Sequence, residues 1–410
     1  MNSHPLHYSL EPRSAIQSLG ASRIREVANA GMGRKDVLPF WFGEPDEVTP
    51  ETIRLAAKNS IDLGETFYAH NLGLPVLRET IARYVSQLHG ATDVNHIAVS
   101  SSGVSALMLI AQLLFNPNDR VVAVTPLWPN LIEIPKILGA EVISVPLELN
   151  TSSSDPTWEL NLDRLLQALT PNTKALFLNS PNNPTGWMIS RAEQEIILAH
   201  CRKHGIWLIA DDVYERLVYA TSTSVLQCAP SFLDISERDE RVISVNSFSK
   251  SWLMTGWRLG YIAAPAELVQ ACEKYQSQYT SGANAIAQKA GVAALLGDMA
   301  PTHSMVEAYK QRRDFVVAAL RNMPNVKCAM PDGAFYAFPD ISAFFGKSFN
   351  GNVIQNDEDL SMYLLHEGHL TTVNGSAFGE PHCIRISYAT SMEQLTEAMK
   401  RMADALSKLV

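Results

Sequence analysis

Between His96 and Ala263 the chain alternates short apolar runs with helix-length segments, and few architectures accommodate that rhythm. Strand-like runs fall at His96–Val99, Arg120–Thr125, Glu141–Val145, Lys174–Asn179, Ile206–Ala210, Arg241–Val245 and Leu259–Ala263. Most are separated by stretches with helical spacing, such as Ser102–Leu114 and Arg191–His204. Apolar runs of this length, bounded this way, read as strands covered on both faces. The expected fold is α/β, with a mostly parallel central sheet sandwiched by helices. In such a sheet ligands sit beyond the carboxyl ends of the strands, so residues with chemistry to do should follow these runs directly.

They do. Ser100-Ser101-Ser102-Gly103-Val104 follows the first run and opens a helix whose free amides can cradle an anion. Trp128 follows the second, and the rigid, amide-rich turn Ser180-Pro181-Asn182-Asn183-Pro184-Thr185-Gly186 follows the fourth. Asp211 and Tyr214 come after the fifth, and Ser247-Phe248-Ser249-Lys250 after the sixth. A lysine there is costly to bury as an ammonium. An imine with an aldehyde cofactor would consume its charge, and Arg258, a little further on, could hold a phosphate as a planar fork. On this stretch alone, a solvated lysine at a strand end and a surface arginine serve equally well.

After Ala264 the pattern changes. Glu267–Gln276 and Asn284–Tyr309 have helical spacing, followed by short strand-like pieces at Lys327–Ala329, Ala334–Phe338, Thr371–Val373 and Cys383–Ser387. Ahead of the alternating region, helical spacing marks Ser14–Ala30 and Leu74–Leu88, an extended piece runs over Val37–Phe42, and a helix begins near Thr49 with Pro50 in its first turn. A chain of 410 residues exceeds one ordinary core. The expected division is an N-terminal arm over 1–45 packing with the smaller domain, a large domain over 46–290 and a smaller α+β domain over 291–410.

Composition excludes several functions. The net charge is -9 with no Lys/Arg run, which argues against a nucleic acid or an anionic membrane as partner. No apolar run approaches the ~20 residues of a membrane helix, and Met1–Leu10 lacks the apolar centre of a secretory signal. The five scattered cysteines form no C-x-x-C pair, as expected for reduced thiols and for neither a disulfide framework nor a zinc site. A soluble, cytoplasmic protein without a metal is expected.

In order along the chain stand Asn183-Pro184-Thr185-Gly186, Asp211-x-x-Tyr214, Ser247-x-x-Lys250, Gly256-Trp257-Arg258-Leu259-Gly260 and Arg385-Ile386-Ser387-Tyr388-Ala389. This series resembles the class I aminotransferases, pyridoxal 5'-phosphate enzymes of fold type I and of the aspartate aminotransferase kind. The resemblance implies that Lys250 carries the cofactor aldehyde as an imine and then moves a proton between the substrate Cα and the cofactor. It implies that Asp211 keeps the pyridine nitrogen protonated, that Tyr214 and Asn183 bond the ring's phenolic oxygen, and that Trp128 stacks on the ring. The phosphate would fall to the amides of Ser102, Gly103 and Val104, with Ser247 and Arg258. Arg385 would bind the substrate carboxylate in a two-pronged pair, with Gly43 and Asn183 beside it. Tyr68 would reach across a homodimer to the other subunit's phosphate.

The activity so implied moves an amino group from an L-amino acid to a 2-oxo acid. The rivals are a lyase or synthase on the same scaffold and a pyridoxal-phosphate-binding regulator, whose basic winged helix-turn-helix segment the short arm before Gly43 does not provide. Relatives usually place Tyr where this chain has Leu127, which changes the pocket wall. Trp41, Phe42, Leu127, His70 and Asn71 point to a partly apolar, adaptable pocket for neutral, sulfur-containing or aromatic amino acids.

Overall fold

The structure is a computed structural model that describes residues 11–17, 19, 27, 29–41, 43–219 and 227–410. At its centre lies an eight-stranded sheet. In chain order its strands are β1 Ile97–Ser100, β2 Arg120–Thr125, β3 Glu141–Asn150, β4 Thr157–Leu160, β5 Thr173–Asn179, β6 Trp207–Asp211, β7 Val242–Ser247 and β8 Gly260–Ala263. Their spatial order is β1-β8-β7-β6-β5-β2-β3-β4. The block from β7 to β3 is parallel throughout. β8 runs antiparallel to both its neighbours, and β4 returns antiparallel along the edge. The expected mostly parallel sheet is therefore present.

The apolar runs are explained by burial on both faces. Val99, Leu176 and Leu208 belong to one core layer, whereas their chain neighbours Ala98, Phe177 and Ile209 belong to the other. Successive side chains of a strand point to opposite faces, so covering both faces with helices demands apolar residues without alternation. β1 is antiparallel to β8, which is antiparallel to β7, so β1 and β7 point the same way. The ends Ser100, Thr125, Asn179, Asp211 and Ser247 thus share one edge of the sheet.

A separate apolar core gathers Tyr309, Val316, Leu320, Phe335, Leu364, Leu395 and Met402. Its sheet has three strands, β9 Tyr336–Ala337, β10 Val373–Asn374 and β11 Ile384–Ser387, in the order β9-β11-β10, all antiparallel. Leu38–Pro39 pairs in parallel with Leu370–Thr371, tying the entering chain to this second core.

Several elements differ from expectation. Asn284–Tyr309 is not one helix: Ala285–Leu296 ends at Gly297, and Ala300–Arg321 starts with Pro301 in its first turn. β4 was unforeseen; it closes a hairpin on the turn after Asn150 and buries only Trp158 and Leu160. Lys327–Ala329 contributes an isolated bridge, Lys327 to Asp340, and no strand. Of the helix expected over Ser14–Ala30, Ser14–Gln17 is helical, while 18, 20–26 and 28 lie outside the described residues, as do 1–10 of the arm and Phe42.

Candidate active site

The shared strand ends open into a cleft of about 680 Å³, roofed by β11. Lys250 stands just after β7, at its floor. Its amine donates to the Gly43 carbonyl and lies 5.5 Å from the ring centre of Phe335 and 5.9 Å from that of Tyr214. Desolvation, and then the like charge of Arg385, bring its pKa down to about 8. Such an amine is about one-tenth unprotonated at pH 7, far more than an unperturbed lysine, and can act as a nucleophile or a base.

Asp211 is the last residue of β6 and faces the same space. Burial raises its pKa to about 7, and Asp212 adds to the rise; the Val213 amide and the Lys250 charge oppose it. A carboxyl balanced in this way would be held ionised by a cationic partner in the cleft. Its backbone is pinned by Asn179, its neighbour in register on β5, which donates to the Asp211 carbonyl at 2.8 Å. The Asn179 side chain also accepts from the Asn183 amide at 2.8 Å. Two strand ends and the Asn-Pro turn are thus held as one unit.

Arg385, on β11, is 3% exposed. It donates through Nη1 to Asn183 Oδ1 at 2.9 Å and through Nη2 to the Trp41 carbonyl at 2.7 Å. Its guanidinium lies between the rings of Tyr336 and Phe378, 4.4 and 4.9 Å from their centres. Nε is buried without a partner among the described residues. Both acceptors are neutral and no carboxylate pairs with it among the described residues, and a buried cation in that condition is costly until an anion arrives. This is a receptor for a carboxylate.

An anion cradle lies at the helix Gly103–Leu114. Ser102 caps it by accepting from the Ser105 amide at 3.0 Å, which leaves other amides of the first turn without helical partners. β8 presses against this turn. A Cβ on Gly260 would fall 2.6 Å from Gly103 N and from the Ser102 carbonyl carbon, so only glycine permits the approach. Ser247 faces Gly103 and donates to Ser249 Oγ at 2.9 Å. Arg258 adopts the left-handed conformation at φ 56° and donates to the Thr255 carbonyl at 2.6 Å, with its guanidinium at the cleft. Helix amides, hydroxyls and a guanidinium together suit a phosphate.

The structure brings the expected Gly43, Gly103, Val104, Trp128, Asn183 and Asp211 to this cleft, with Tyr214, Ser247, Lys250, Arg258 and Arg385. Ser102 sits behind the cradle as its cap. Tyr68 does not line the cleft of its own chain and is 94% exposed. Of the expected apolar wall, Trp41 is in place, but Leu127 is fully buried beside it and His70 instead pairs with Glu273 at 3.4 Å. Asn71 does not reach the cleft, and Phe42 is outside the described residues. Sequence reasoning missed Asn179, Ser249, Gly260 and Tyr336. The first three stand in or beside the motifs already singled out; Tyr336, within an apolar run, carried no signal.

A family model described as aminotransferase class I and II matches residues 35–402. The chain is 36% identical over 406 residues to an aspartate aminotransferase of Rhizobium meliloti, covering 97% of each. It is 37% identical over 386 residues to an aspartate/prephenate aminotransferase of Cereibacter sphaeroides, covering 93% of each. The crystal structure of an aspartate aminotransferase from Rhizobium meliloti superposes with a TM-score of 0.90 at 34% identity, over 98% of this chain and 100% of that one.

Proposed function

The chain belongs to the class I and II aminotransferases, which depend on pyridoxal 5'-phosphate, and on that premise we propose that Lys250 is the covalent tether and proton carrier of its transamination. The residues present fit this cofactor: a glycine-enforced anion cradle, an amine of lowered pKa, a carboxyl facing it, and a buried arginine awaiting a carboxylate. When bound, the cofactor supplies an aldehyde for the amine and an electron-accepting ring.

The chain's own groups then divide the work. The amides of Ser102, Gly103 and Val104, with Ser247 and Arg258, hold the phosphate. Trp128 would cover one face of the ring, and Asp211, ionised, would keep the ring nitrogen protonated. Arg385, steadied by Asn183, takes the α-carboxylate of the amino acid and fixes its Cα above the Lys250 amine. Lys250 would take the Cα proton of the amino acid in the first half-reaction and return a proton to the Cα of the incoming oxo acid in the second. Tyr214 would donate to the ring's phenolic oxygen. The observation that carries this function is the convergence of Lys250, Asp211 and the uncompensated Arg385 on one cleft.

The first donor to test is L-aspartate, the substrate in the names of the relatives, with 2-oxoglutarate as acceptor; neutral and aromatic amino acids come second. We further propose a cytoplasmic homodimer in which Tyr68 completes the partner's phosphate site. Supporting it are the solvent-facing Leu63, Phe67 and Tyr68, 77%, 84% and 94% exposed, and five free cysteines. Among the described residues no helix is long and apolar enough to cross a membrane. A division into a large domain over 46–290 and a small one over 291–410, with the arm joined to the latter, is supported by the second core and the Leu38–Pro39 pairing. The helix Ala285–Leu296 nevertheless spans that boundary and packs on the helices Glu51–Asp62 and Pro75–His89.

The test is glutamate formation from 2-oxoglutarate by purified, cofactor-loaded protein, with a Lys250→Ala control. Glutamate from the wild type alone is expected. Ammonia and a 2-oxo acid without glutamate would replace transamination by elimination.

A further inference from the structure

Tyr336 touches both halves of the cleft at once. It lies on β9, opposite Ser387 of β11, and is 1% exposed. Its ring supports the Arg385 guanidinium at 4.4 Å. Its hydroxyl meets the Tyr214 hydroxyl at 2.8 Å, with the two rings 5.9 Å apart and at 83°. The same hydroxyl closes on Gly43, where an added Cβ would sit 2.8 Å away. One side chain therefore contacts the carboxylate receptor, the phenol beside the lysine, and the residue whose carbonyl accepts from Lys250.

We propose that Tyr336 is a positioning residue: it donates its proton to the Tyr214 oxygen, so that the Tyr214 proton points into the cleft, while its ring sets Arg385 for the substrate carboxylate. This rests on the cofactor reading above. Two hydroxyls at this distance share one proton between them. If Tyr214 donated to Tyr336, it would have nothing left to offer a ring oxygen in the cleft. If Tyr336 donates, Tyr214 keeps its proton free and becomes a stronger donor, because hydrogen bonds in a chain polarise one another. Tyr214 is the only hydrogen-bond partner of the Tyr336 hydroxyl among the described residues, so this direction also satisfies a buried donor. Burial raises both phenols, Tyr214 well above its usual value, and the Arg385 charge opposes the rise in each, which leaves Tyr336 the readier to give.

Tyr336→Phe keeps the ring and removes only the hydroxyl. The readout is the pH midpoint of the visible absorbance of the bound cofactor, without substrate. A donor on the ring oxygen favours the unprotonated form of the lysine–cofactor linkage, in which that oxygen's charge is otherwise unshielded. Tyr336→Phe leaves the Tyr214 bond in place and removes only its strengthening, so it should raise the midpoint by about 0.1–0.3 pH unit. Tyr214→Phe should raise it further, and adding Tyr336→Phe to Tyr214→Phe should change nothing more. Should Tyr336→Phe not fold, 3-fluorotyrosine at position 336, a stronger donor, should lower the midpoint. An unmoved midpoint, or an equal shift on the Tyr214→Phe background, overturns the relay. Tyr336→Leu, which removes the shelf under Arg385, should raise KM for the amino acid more than Tyr336→Phe does; equal KM values overturn the ring's part. A wild-type protein that takes up no cofactor would instead indict the cofactor reading itself.

Discussion

Asn183 Oδ1 accepts from Arg385 Nη1 at 2.9 Å, joining the turn after β5 to a strand of the other sheet. The bond holds the guanidinium edge-on without spending its charge, because the acceptor is neutral. Replacing Arg385 by Lys keeps the charge but loses the fork. Steady-state kinetics should show kcat/KM for the amino acid falling by roughly 10²- to 10³-fold, with KM rising. Asn183→Ala should cost about tenfold. Cofactor absorbance should survive in Arg385→Lys.

The lowered pKa of Lys250 has a kinetic signature. Capture of pyridoxal phosphate by apoprotein, stopped by borohydride, should speed up as pH rises and level off above about 8. A solvated lysine would level off near its usual 10.5. Desolvation is the first cause and Arg385 the second, so Arg385→Gln should move the inflection upward. An inflection that stays with the solvated value would remove the lysine from its assigned role.

Two glycines of one motif should behave oppositely. An added methyl at Gly260 collides with the backbone of Ser102 and Gly103, whereas at Gly256 it meets nothing within 4 Å. Gly260→Ala should destabilise by about 1–3 kcal/mol and weaken cofactor binding, while Gly256→Ala leaves both nearly unchanged. Urea unfolding and cofactor titration of the pair decide this.

His89 is a buried cation outside the cleft. Burial alone would lower its pKa, but bonds to Asp234 at 2.7 Å, Cys228 at 3.7 Å and Glu215 at 3.3 Å carry it up to about 12. Its folded value lies above the unfolded 6.5, so its contribution is whole below about pH 6.5 and drains away as pH climbs toward 12. His89→Asn leaves the buried Glu215 without its cation, while Asp234 keeps Arg191, and should cost ~3–5 kcal/mol. The gap in thermal midpoint between wild type and variant should be widest in mild acid and narrow in alkali.

Subunit mixing tests Tyr68. Tyr68→Ala and Lys250→Ala proteins, each impaired alone, should regain up to about a quarter of wild-type activity after co-refolding, because half the dimers are hybrids with one whole site. No recovery would place Tyr68 outside the partner's site.

Much of this was legible because buried parallel strands are unbroken apolar runs, and the polar residues that end them stand out by contrast. Lys250 and Asp211 stand at the ends of such runs, and Arg385 interrupts a short buried antiparallel one. β4 was hidden because four residues with two buried cannot be told from a loop. The break at Gly297 was hidden because the alanine-rich flanks carry helical spacing through a single glycine. Tyr336 looked like core, and its partner Tyr214 is 122 positions away, a pairing that no local pattern encodes. Tyr68 had the opposite problem: the neighbour proposed for it would belong to a second copy of the chain.

The short pairing of Leu38–Pro39 with Leu370–Thr371 continues as Phe40 donates to the Thr371 carbonyl and accepts from Ser387, and as Trp41 accepts from Arg385. The strip from 38 to 41 is thereby stitched to the sheet that bears the carboxylate receptor, and Gly43, just beyond it, accepts from the lysine. Were that sheet to swing, it would haul the strip along, and the grip on Lys250 would tighten or slacken in step with the grip on substrate.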